Sequence, residues 1–409
     1  MCDWVAMTHT SAILDFAAVG HSLPNAVRAD AEHLLADTLA VMAAGAATKE
    51  AARVCDTVTD QAFRHGFAIH CLEWDAVHEP AVVHALSVVT AALLAASHRR
   101  GGSDPDAFLT ALAVGVDIAS GLGIAATGPM RFFRPATAGV IGAALAVARL
   151  DGLSHAQFAD VLGLAYSFAG GTMQAHVEGS IALPLQIGRA AQAAVQAVDL
   201  VKAGLTGPHD VLEAPFGYSA LIEPLDLARY KPGAPWRISE ISIKPFPSGR
   251  ASHAVLATLA DIRSSGRPIK SITAHVPPLI ARLVNRPFSN DMTPAYARLC
   301  LPFLMALMVR DGRIDPRRFT PETFADPIIV DLAAQLTIIV DDNPDQNALS
   351  PQRLDIDGES FLIAHTLGSP DAQINAAQAA QKYDLCRVLA GDCDPRIFDD
   401  PLSYITDPR

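Results

Sequence analysis

The chain has 409 residues, a formal net charge of -12, and 50% hydrophobic but only 18% charged residues. This composition supports a large buried core and is not that of a disordered protein, and the length favours two domains over one. The negative charge argues against a nucleic-acid groove, which needs a basic face, but a few local cations can still create a pocket for a small anion.

Cysteine spacing and hydropathy bear on the compartment. The six cysteines are far apart and form no CxxC pair, which indicates free thiols in a reducing environment. The first ten residues lack the basic start and apolar core of a secretory signal. The longest apolar run, residues 82–97, is shorter than the roughly 20 residues of a membrane span. We therefore expect a cytoplasmic protein with no membrane partner, in which this run is a buried helix.

Residues 10 to about 235 read as successive helices. Apolar residues recur at helical spacing in 26–45. Further Ala-rich segments, most of them ended by Gly or Pro, follow at 105–127, 136–150, 155–171 and 186–204. Small side chains allow helix axes to approach closely, so this part of the sequence predicts a compact helical bundle.

The pattern changes at a Pro- and Gly-rich linker, residues 231–236. Beyond it, alternation with a period of two predicts three strands, at 238–244, 271–276 and 335–340. Helical patterns lie between the strands, at 251–263 and 294–309. This part of the sequence predicts a smaller α+β domain, and a last helix at 370–392 is expected to pack back on the first domain.

The segment 66–85 concentrates titratable side chains at the start of the most apolar helix. Its titratable residues are His70, Glu73, Asp75, His78, Glu79 and His84. Polar groups beside such a helix are costly unless they are paired or functional, and a carboxylate can hold one imidazole edge while the other edge moves a proton. The alternative is a polar segment at the start of the helix, in which Glu and Asp cap the helix that follows. A zinc site is a weaker interpretation, because the HExxH spacing is missing and the Cys71 thiol is isolated.

Two other segments carry cations. A proline-stiffened loop at 243–253 holds Lys244, Ser248, Arg250 and His253, which suits a carboxylate site or, alternatively, a solvated turn. Arg134 precedes a predicted helix start at residue 135 or 136, where an anion is favoured. Motifs for nucleotide binding (GxGxxG, P-loop) and for serine hydrolases (GxSxG) are not found in the sequence.

Taken together, these segments resemble the MmgE/PrpD family in order and spacing along nearly the whole chain. The matching pieces are 70–75 (HCLEWD) with His84, 136–139 (ATAG), 178–180 (EGS), 188–191 (GRAA), 204–208 (GLTGP), 244–248 (KPFPS) with His253, 301–303 (LPF) and 311–312 (DG).

The resemblance implies a mainly α protein with an α+β part. It predicts a large helical-bundle domain built from residues 1–235 and 360–409, and a smaller α+β lid domain inserted at 236–359. It also implies a homodimer with an active site in the cleft between the domains. Family members work without a metal or an organic cofactor. They remove a proton next to a carboxylate of a small organic acid, then lose water or carbon dioxide or return the proton to the other face.

By position, the resemblance assigns His84 and Lys244 the proton transfers, from opposite sides of the cleft. Glu73 and Asp75 would orient His84 or shift its pKa. The predicted substrate-binding residues, which would hold carboxylate or carbonyl oxygens, are His78, Arg134, Gln186, Ser248 and His253.

The sequence departs from the family pattern at six polar positions. The residues present instead are Val77, Phe133, Leu183, Gln186, Gly249 and Phe303. Losing a lysine and imidazoles lowers the positive charge available in the pocket. The sequence therefore predicts a substrate less charged than a citrate-type tricarboxylate. Two alternatives remain open: a non-catalytic homologue that binds a small molecule or acts as a scaffold, and a biosynthetic tailoring enzyme for an unusual acid.

Overall fold

A computed structural model describes residues 9–345 and 348–407. The first group of helices is α1 (His9–Ala18), α2 (Asn25–Ala46), α3 (Lys49–Thr57), α4 (Gln61–His70), α5 (Ala85–His98), α6 (Pro105–Ala125), α7 (Arg134–Leu150), α8 (His155–Ser167), α9 (Gln174–Glu178), α10 (Ala182–Lys202) and α11 (Tyr218–Leu221). The second group is α12 (His253–Ser264), α13 (Pro278–Val284), α14 (Pro294–Ala297), α15 (Leu301–Asp311), α16 (Pro321–Phe324), α17 (Pro327–Ala333), α18 (Ala376–Ala390), α19 (Arg396–Asp399) and α20 (Pro401–Thr406).

The first group forms a bundle around α5 and α7. Every residue of α5 from Ala85 to Ser97 is buried, and so are nearly all residues of α7. Helices α4, α6 and α10 pack around this pair. The close packing depends on small side chains: Gly66 of α4 faces Gly188 of α10, and a Cβ on Gly66 would lie 3.0 Å from the Cα of Gly188. The predicted helical bundle is confirmed.

Helix α6 is long and apolar enough to cross a membrane by length and composition alone, and 89% of its apolar 18-residue stretch is buried inside the protein. Those are the properties of a core helix in a bundle of this kind. Its first turn explains where it begins, because Pro105 stands at the start and the Asp104 side chain accepts a hydrogen bond from the backbone N–H of Ala107.

Four strands form one mixed sheet: β1 (Ile272–Val276), β2 (Leu336–Val340), β3 (Gln352–Ile356) and β4 (Glu359–Ile363). The order across the sheet is β2-β1-β3-β4, with β1 parallel to β2 and antiparallel to β3. Strands β3 and β4 form a hairpin, and the Asp357–Gly358 turn between them has positive φ at both residues. The strands predicted at 271–276 and 335–340 are therefore confirmed, and the hairpin was not predicted.

The strand predicted at 238–244 is wrong. A 3-10 turn occupies Arg237–Glu240, and only Ser242 forms an isolated bridge, to Val77. The alternating isoleucines pointed to a strand, but Ile238 and Ile241 are buried in the core of the helical bundle instead. Anchoring by a few apolar side chains gives the same period-two pattern as a half-buried strand.

The described residues contain two large hydrophobic cores. One gathers the bundle helices together with Ile397 and Ile405 from the C-terminal end. The other joins α12, α13 and α15 to the buried face of β1 and β3. The fold is thus mainly α with an α+β part, as predicted, while the inserted lid and its boundaries at 236–359 stay a prediction.

The C-terminal helix predicted at 370–392 is α18, and it packs on α2 as expected. The predicted free thiols are confirmed for the described residues, among which Cys71, Cys300 and Cys386 are buried; Cys2 lies outside the described part.

Candidate functional site

The candidate site is built on the segment between the end of α4 and the start of α5. His70 is the last residue of α4, and His84 immediately precedes α5. Between them the chain turns twice through left-handed backbone conformations, at Glu73 (φ 55°) and Val82 (φ 51°). Non-glycine residues rarely adopt such conformations, and they persist where the surroundings impose them, often at functional sites.

Asp75 is the centre of the site, and no part of its side chain is exposed. Its two oxygens each lie 3.0 Å from Nδ1 of His70. The same carboxylate accepts a hydrogen bond from the hydroxyl of Ser87, in the first turn of α5. Nδ1 of His84 lies 2.8 Å from Oδ2 of Asp75. One buried carboxylate thus organises two imidazoles and a hydroxyl.

Lys244 joins this group from the far side of the sequence. Its Nζ lies 3.0 Å from both the backbone oxygen and Oε2 of Glu73, and 4.0 Å from Oδ1 of Asp75. The lysine side chain is completely buried. Glu73 also contacts His70, whose Nε2 lies 3.1 Å from Oε1. The four charged groups therefore alternate in sign, which is the arrangement that makes buried charges tolerable.

The pKa shifts follow from this arrangement. Burial disfavours a charged imidazole, but the carboxylates of Asp75 and Glu73 outweigh it and raise the pKa of His70 to about 9. Burial also acts against the charged carboxylates. Even so, Lys244 and His70 hold the pKa of Glu73 well below the usual range. His70 and His84 do the same for the pKa of Asp75. His70 and Lys244 are then the two cations that balance two carboxylates.

His84 differs from His70. Burial lowers its pKa, and although Asp75 opposes this, the positive charge of Lys244 adds to the lowering. At neutral pH His84 is therefore a neutral imidazole. Its side chain is 13% exposed, whereas that of His70 is not exposed at all. Because Nδ1 faces Asp75, the other ring nitrogen, Nε2, is the one available to a ligand.

Three of these groups have the composition of a metal site. One ligand atom from each of His70, Asp75 and His84 lies within 4.8 Å of the others. A protonated imidazole cannot bind a metal, however, and the raised pKa of His70 keeps it protonated at neutral pH. The ammonium of Lys244 next to Asp75 adds a further repulsive charge. The arrangement suits proton transfer better than metal binding, and the expectation that the protein works without a metal remains a prediction.

A pocket opens beside Glu73 and His84, at the junction of the two hydrophobic cores. Five of its seventeen lining residues are titratable: Glu73, Glu79, His84, His176 and Arg250. Most of the other lining residues belong to one of the two cores. A concave apolar pocket with a few convergent polar groups of shifted pKa is the usual form of a small-molecule site.

Arg250 and Glu79 form an ion pair on the wall of the pocket. Nη2 of Arg250 lies 2.7 Å from Oε1 of Glu79, and the guanidinium also donates hydrogen bonds to the backbone oxygens of Thr366 and Leu367. Arg250 stood in the predicted 243–253 loop but was not selected as a binding residue. It was hard to distinguish there, because the loop contains another cation and a histidine within six residues.

His176 is the other titratable residue that the sequence did not identify. Glu178, two residues away in the sequence, accepts a hydrogen bond from Gln174, while His176 lines the pocket. Burial and the neighbouring charge of Arg286 lower the pKa of His176 to about 4. It is neutral at neutral pH.

Two of the predicted substrate-binding residues lie outside the pocket, in structural roles. Nδ1 of His78 accepts a hydrogen bond from the backbone N–H of Ala81, and its Nε2 donates to Glu240. Arg134 donates two hydrogen bonds to Glu223, over 2.9 and 2.6 Å, and a third to the backbone oxygen of Ala81. Both side chains fix the turn that leads to His84, and their hydrogen-bonding groups are used in doing so.

The other three also lie outside the lining. Gln186 donates a hydrogen bond to the backbone oxygen of Thr172. Ser248 and His253 are completely buried and contact each other over 3.2 Å. They lie behind Arg250, whose Nη1 is 3.4 Å from Nδ1 of His253. Their position suits support of Arg250 rather than contact with a ligand.

The expected opposition of His84 and Lys244 across a cleft does not match the structure. Both residues lie within 4.0 Å of the same carboxylate, that of Asp75, and Lys244 does not line the pocket. Lys244 is placed next to Glu73 because Ser242, two residues before it, exchanges two backbone hydrogen bonds with Val77. Four of the six positions that depart from the family pattern do line the pocket: Val77, Phe133, Leu183 and Gly249. Phe303 lies in the second core.

Comparison with known proteins gives two family matches and two curated relatives. Residues 57–228 match the MmgE/PrpD N-terminal domain, and residues 246–386 match the MmgE/PrpD C-terminal domain. Human cis-aconitate decarboxylase is 29% identical over 281 residues, which is 63% of this chain and 56% of the relative. Mouse cis-aconitate decarboxylase is 26% identical over 303 residues, 68% of this chain and 60% of the relative.

The matched region thus spans less than two thirds of either relative. The two domain matches, by contrast, cover most of this chain in the order expected from its sequence. The titratable residues of the site fall within them, except Lys244, which lies between the two matched ranges. The chain belongs to the MmgE/PrpD family.

Proposed function

We propose that the protein is a cofactor-independent lyase or isomerase in which His84 removes a proton from the carbon next to a carboxylate of a small organic acid. The observation that carries this proposal is the state of His84. It is a neutral imidazole that lines the pocket, with Nδ1 2.8 Å from a buried carboxylate. A general base must be unprotonated and within reach of the substrate, and His84 meets both conditions.

The proposal gives the surrounding groups positioning roles. Asp75 fixes the ring of His84 and stabilises the imidazolium that forms when Nε2 takes the proton. His70, Glu73 and Lys244 balance charge around Asp75, so that its carboxylate stays ionised. Glu73 also lines the pocket, but its depressed pKa makes it a weaker base than His84.

The electron pair left on the carbon has two outcomes. It forms a double bond to the next carbon as hydroxide leaves and takes up a proton, which is dehydration, or the carbon regains a proton on its other face, which is epimerisation. Decarboxylation differs, because the bond to carbon dioxide supplies the electron pair as it breaks and the carbon then takes up a proton. The names of the relatives favour a lyase. Dehydration and epimerisation share the proton removal assigned to His84.

Proton NMR in deuterated water tests the proposal. The purified protein is incubated with tricarboxylates, dicarboxylates and hydroxy monocarboxylates, and we expect deuterium to enter, or water or carbon dioxide to be lost, at the carbon next to a carboxylate. The His84→Ala variant should lose about 100-fold or more in rate. His209→Gln, at a largely exposed histidine, is the matched control and should react like the unchanged protein.

Chemical rescue separates a base from a merely structural residue. Added imidazole should restore part of the activity of His84→Ala if the lost group is the base. Full activity of a folded His84→Ala protein would contradict the proposal and would favour a non-catalytic or differently acting homologue.

The proposal extends to a cytoplasmic homodimer. Free thiols in the described residues support a reducing compartment, and the dimer rests on the family resemblance. Light scattering on the purified protein tests whether it is a dimer. Fractionation of the source cells tests whether it is cytoplasmic.

A further inference from the structure

The composition of the pocket wall restricts the chemistry of the substrate. Apolar side chains form most of the wall, among them Val82, Met130, Phe133, Met173, Leu183 and Leu299. Phe133, Met173 and Leu183 belong to one core and Leu299 to the other, so an occupant of the pocket meets apolar side chains from both. Burying apolar surface against such a wall favours binding, whereas burying an unpaired charge opposes it.

Among the described lining residues, no unpaired cation is available to a second carboxylate of a substrate. Arg250 is the one lysine or arginine among the described lining residues, and it is engaged by Glu79 and two backbone oxygens. The imidazoles of His84 and His176 are neutral at neutral pH because their pKa values are lowered. Glu79 is paired with Arg250, and Glu73 with Lys244 and His70. The charges of the wall are thus already balanced, and each further carboxylate of a polyanion would be buried there without a cation of its own.

One carboxylate can nevertheless be accommodated. Two arginines near the wall, Arg286 and Arg298, are buried, and neither forms an ion pair within residues 9–345 and 348–407. Arg286 donates a hydrogen bond to the backbone of the lining residue His176, and Arg298 directly precedes the lining residue Leu299. Arg286 is held by the backbone oxygen of His176 and the ring of Tyr296, and its Nη1 has no hydrogen-bond partner there. A buried cation without a carboxylate partner is costly by itself and produces a positive potential at the adjacent His176 side of the pocket.

We infer that the substrate is a monocarboxylic acid whose remainder is hydrophobic, with the carboxylate toward His176 and the adjacent Arg286 and the apolar part along the Phe133 and Leu183 wall. This inference rests on the proposed function for the identity of the site, and it adds the substrate class.

A matched ligand pair tests the inference by binding, without requiring turnover. 3-Hydroxyhexanoate and 3-hydroxyadipate share one skeleton, with a terminal methyl in the first and a carboxylate in the second. Isothermal titration calorimetry of the full chain near neutral pH should show at least about tenfold tighter binding of the monoacid. Citrate should bind more weakly still.

Two variants at one wall position sharpen the test. Leu183→Lys places a cation on the apolar wall and should reverse or abolish the preference, with the diacid gaining about tenfold or more in affinity. Leu183→Met keeps the wall apolar at similar volume and should preserve the preference. A general loss of folding would affect both ligands alike, so the ratio of the two affinities is the quantity to compare.

The outcomes separate this inference from the proposed function. If 3-hydroxyadipate or citrate binds the unchanged protein as tightly as 3-hydroxyhexanoate, or if no monoacid binds at millimolar concentration, the inference is wrong whatever the enzyme catalyses. If the monoacid is preferred but His84→Ala reacts at the full rate, the substrate class stands and the assignment of His84 fails.

Discussion

Nζ of Lys382 lies 2.6 Å from Oδ1 of Asp37, and each side chain is only 1% exposed. The pair joins α18, near the C-terminal end, to α2 near the beginning. Removing one partner of a buried pair leaves the other charge uncompensated. We therefore expect Lys382→Met to lower the free energy of unfolding by about 3–5 kcal/mol in urea denaturation.

Arg387, one turn further along α18, provides the control. It pairs with Asp399, but both side chains are more than half exposed. Such pairs contribute about 0–1 kcal/mol, so Arg387→Ala should change stability little. Equal effects of the two substitutions would mean that the Lys382 pair does not hold the C-terminal helix in place.

Asp75→Asn should impair both stability and rate. The change removes the charge that balances His70 and holds His84, so we expect a loss of about 3–5 kcal/mol in stability and a large drop in proton exchange. Ser87→Ala removes only one hydrogen bond to the same carboxylate and should cost about 1–3 kcal/mol. The two variants are compared by urea denaturation and by exchange NMR, and a full exchange rate in folded Asp75→Asn would refute the role given to Asp75.

The titration of His70 predicts how stability depends on pH. Its pKa is about 9 in the folded protein against an ordinary value of 6.5. The stabilisation is therefore complete below about pH 6.5 and is lost as the pH rises through 9. A series of denaturation curves should show this loss, and His70→Gln should be less stable overall but lack that part of the alkaline slope. An unchanged slope would assign the loss to another group.

Acid should act on the carboxylates in the opposite sense. The depressed pKa values of Glu73 and Asp75 mean that their stabilisation is present above the ordinary pKa of a carboxyl and is lost as the pH falls below it. The acid limb of the stability profile should shrink in Glu73→Gln, a variant that keeps the shape of the side chain.

Close approach of α4 and α10 predicts the effect of a single methyl group. A Cβ on Gly188 would lie 2.6 Å from the backbone oxygen of Phe63, which cannot move without shifting α4. Gly188→Ala should lower stability by about 1–3 kcal/mol. Gly170 has no atom within 4 Å of its would-be Cβ, so Gly170→Ala should melt within a degree or so of the unchanged protein. Thermal melting of both variants checks this.

The helices could be predicted from the sequence because their buried residues are the apolar residues that recur at helical spacing. The predictions for 26–45 and 105–127 match α2 and α6 within a few residues. The hairpin of β3 and β4 was missed because its outer strand is largely exposed and therefore lacks a clear apolar face. The helix predicted at 294–309 is two helices, α14 and α15, and Pro302 begins the second of them.

The site was predictable where its residues are close in sequence. Glu73, Asp75 and His84 lie in one segment, and the structure brings them together with Lys244, which the family resemblance supplied. The substrate-binding residues were harder to predict, because a cationic side chain in a loop can point into a pocket or toward another part of the protein. Arg134 faces Glu223, 89 residues away, and this contact depends on tertiary packing that no local pattern encodes.

The chemical groups and the pocket wall have different origins in the chain. His70, Glu73, Asp75 and His84 occupy a single fifteen-residue stretch anchored to α5, whereas Phe133, Met173, Leu183 and Leu299 come from distant elements. Phe133 packs against the ring of His70, but the other three wall residues can be exchanged one at a time with little effect on the charged cluster around Asp75. Such a division makes the scaffold a suitable starting point for directed evolution, in which selectivity is altered at the wall while the charged cluster is left untouched.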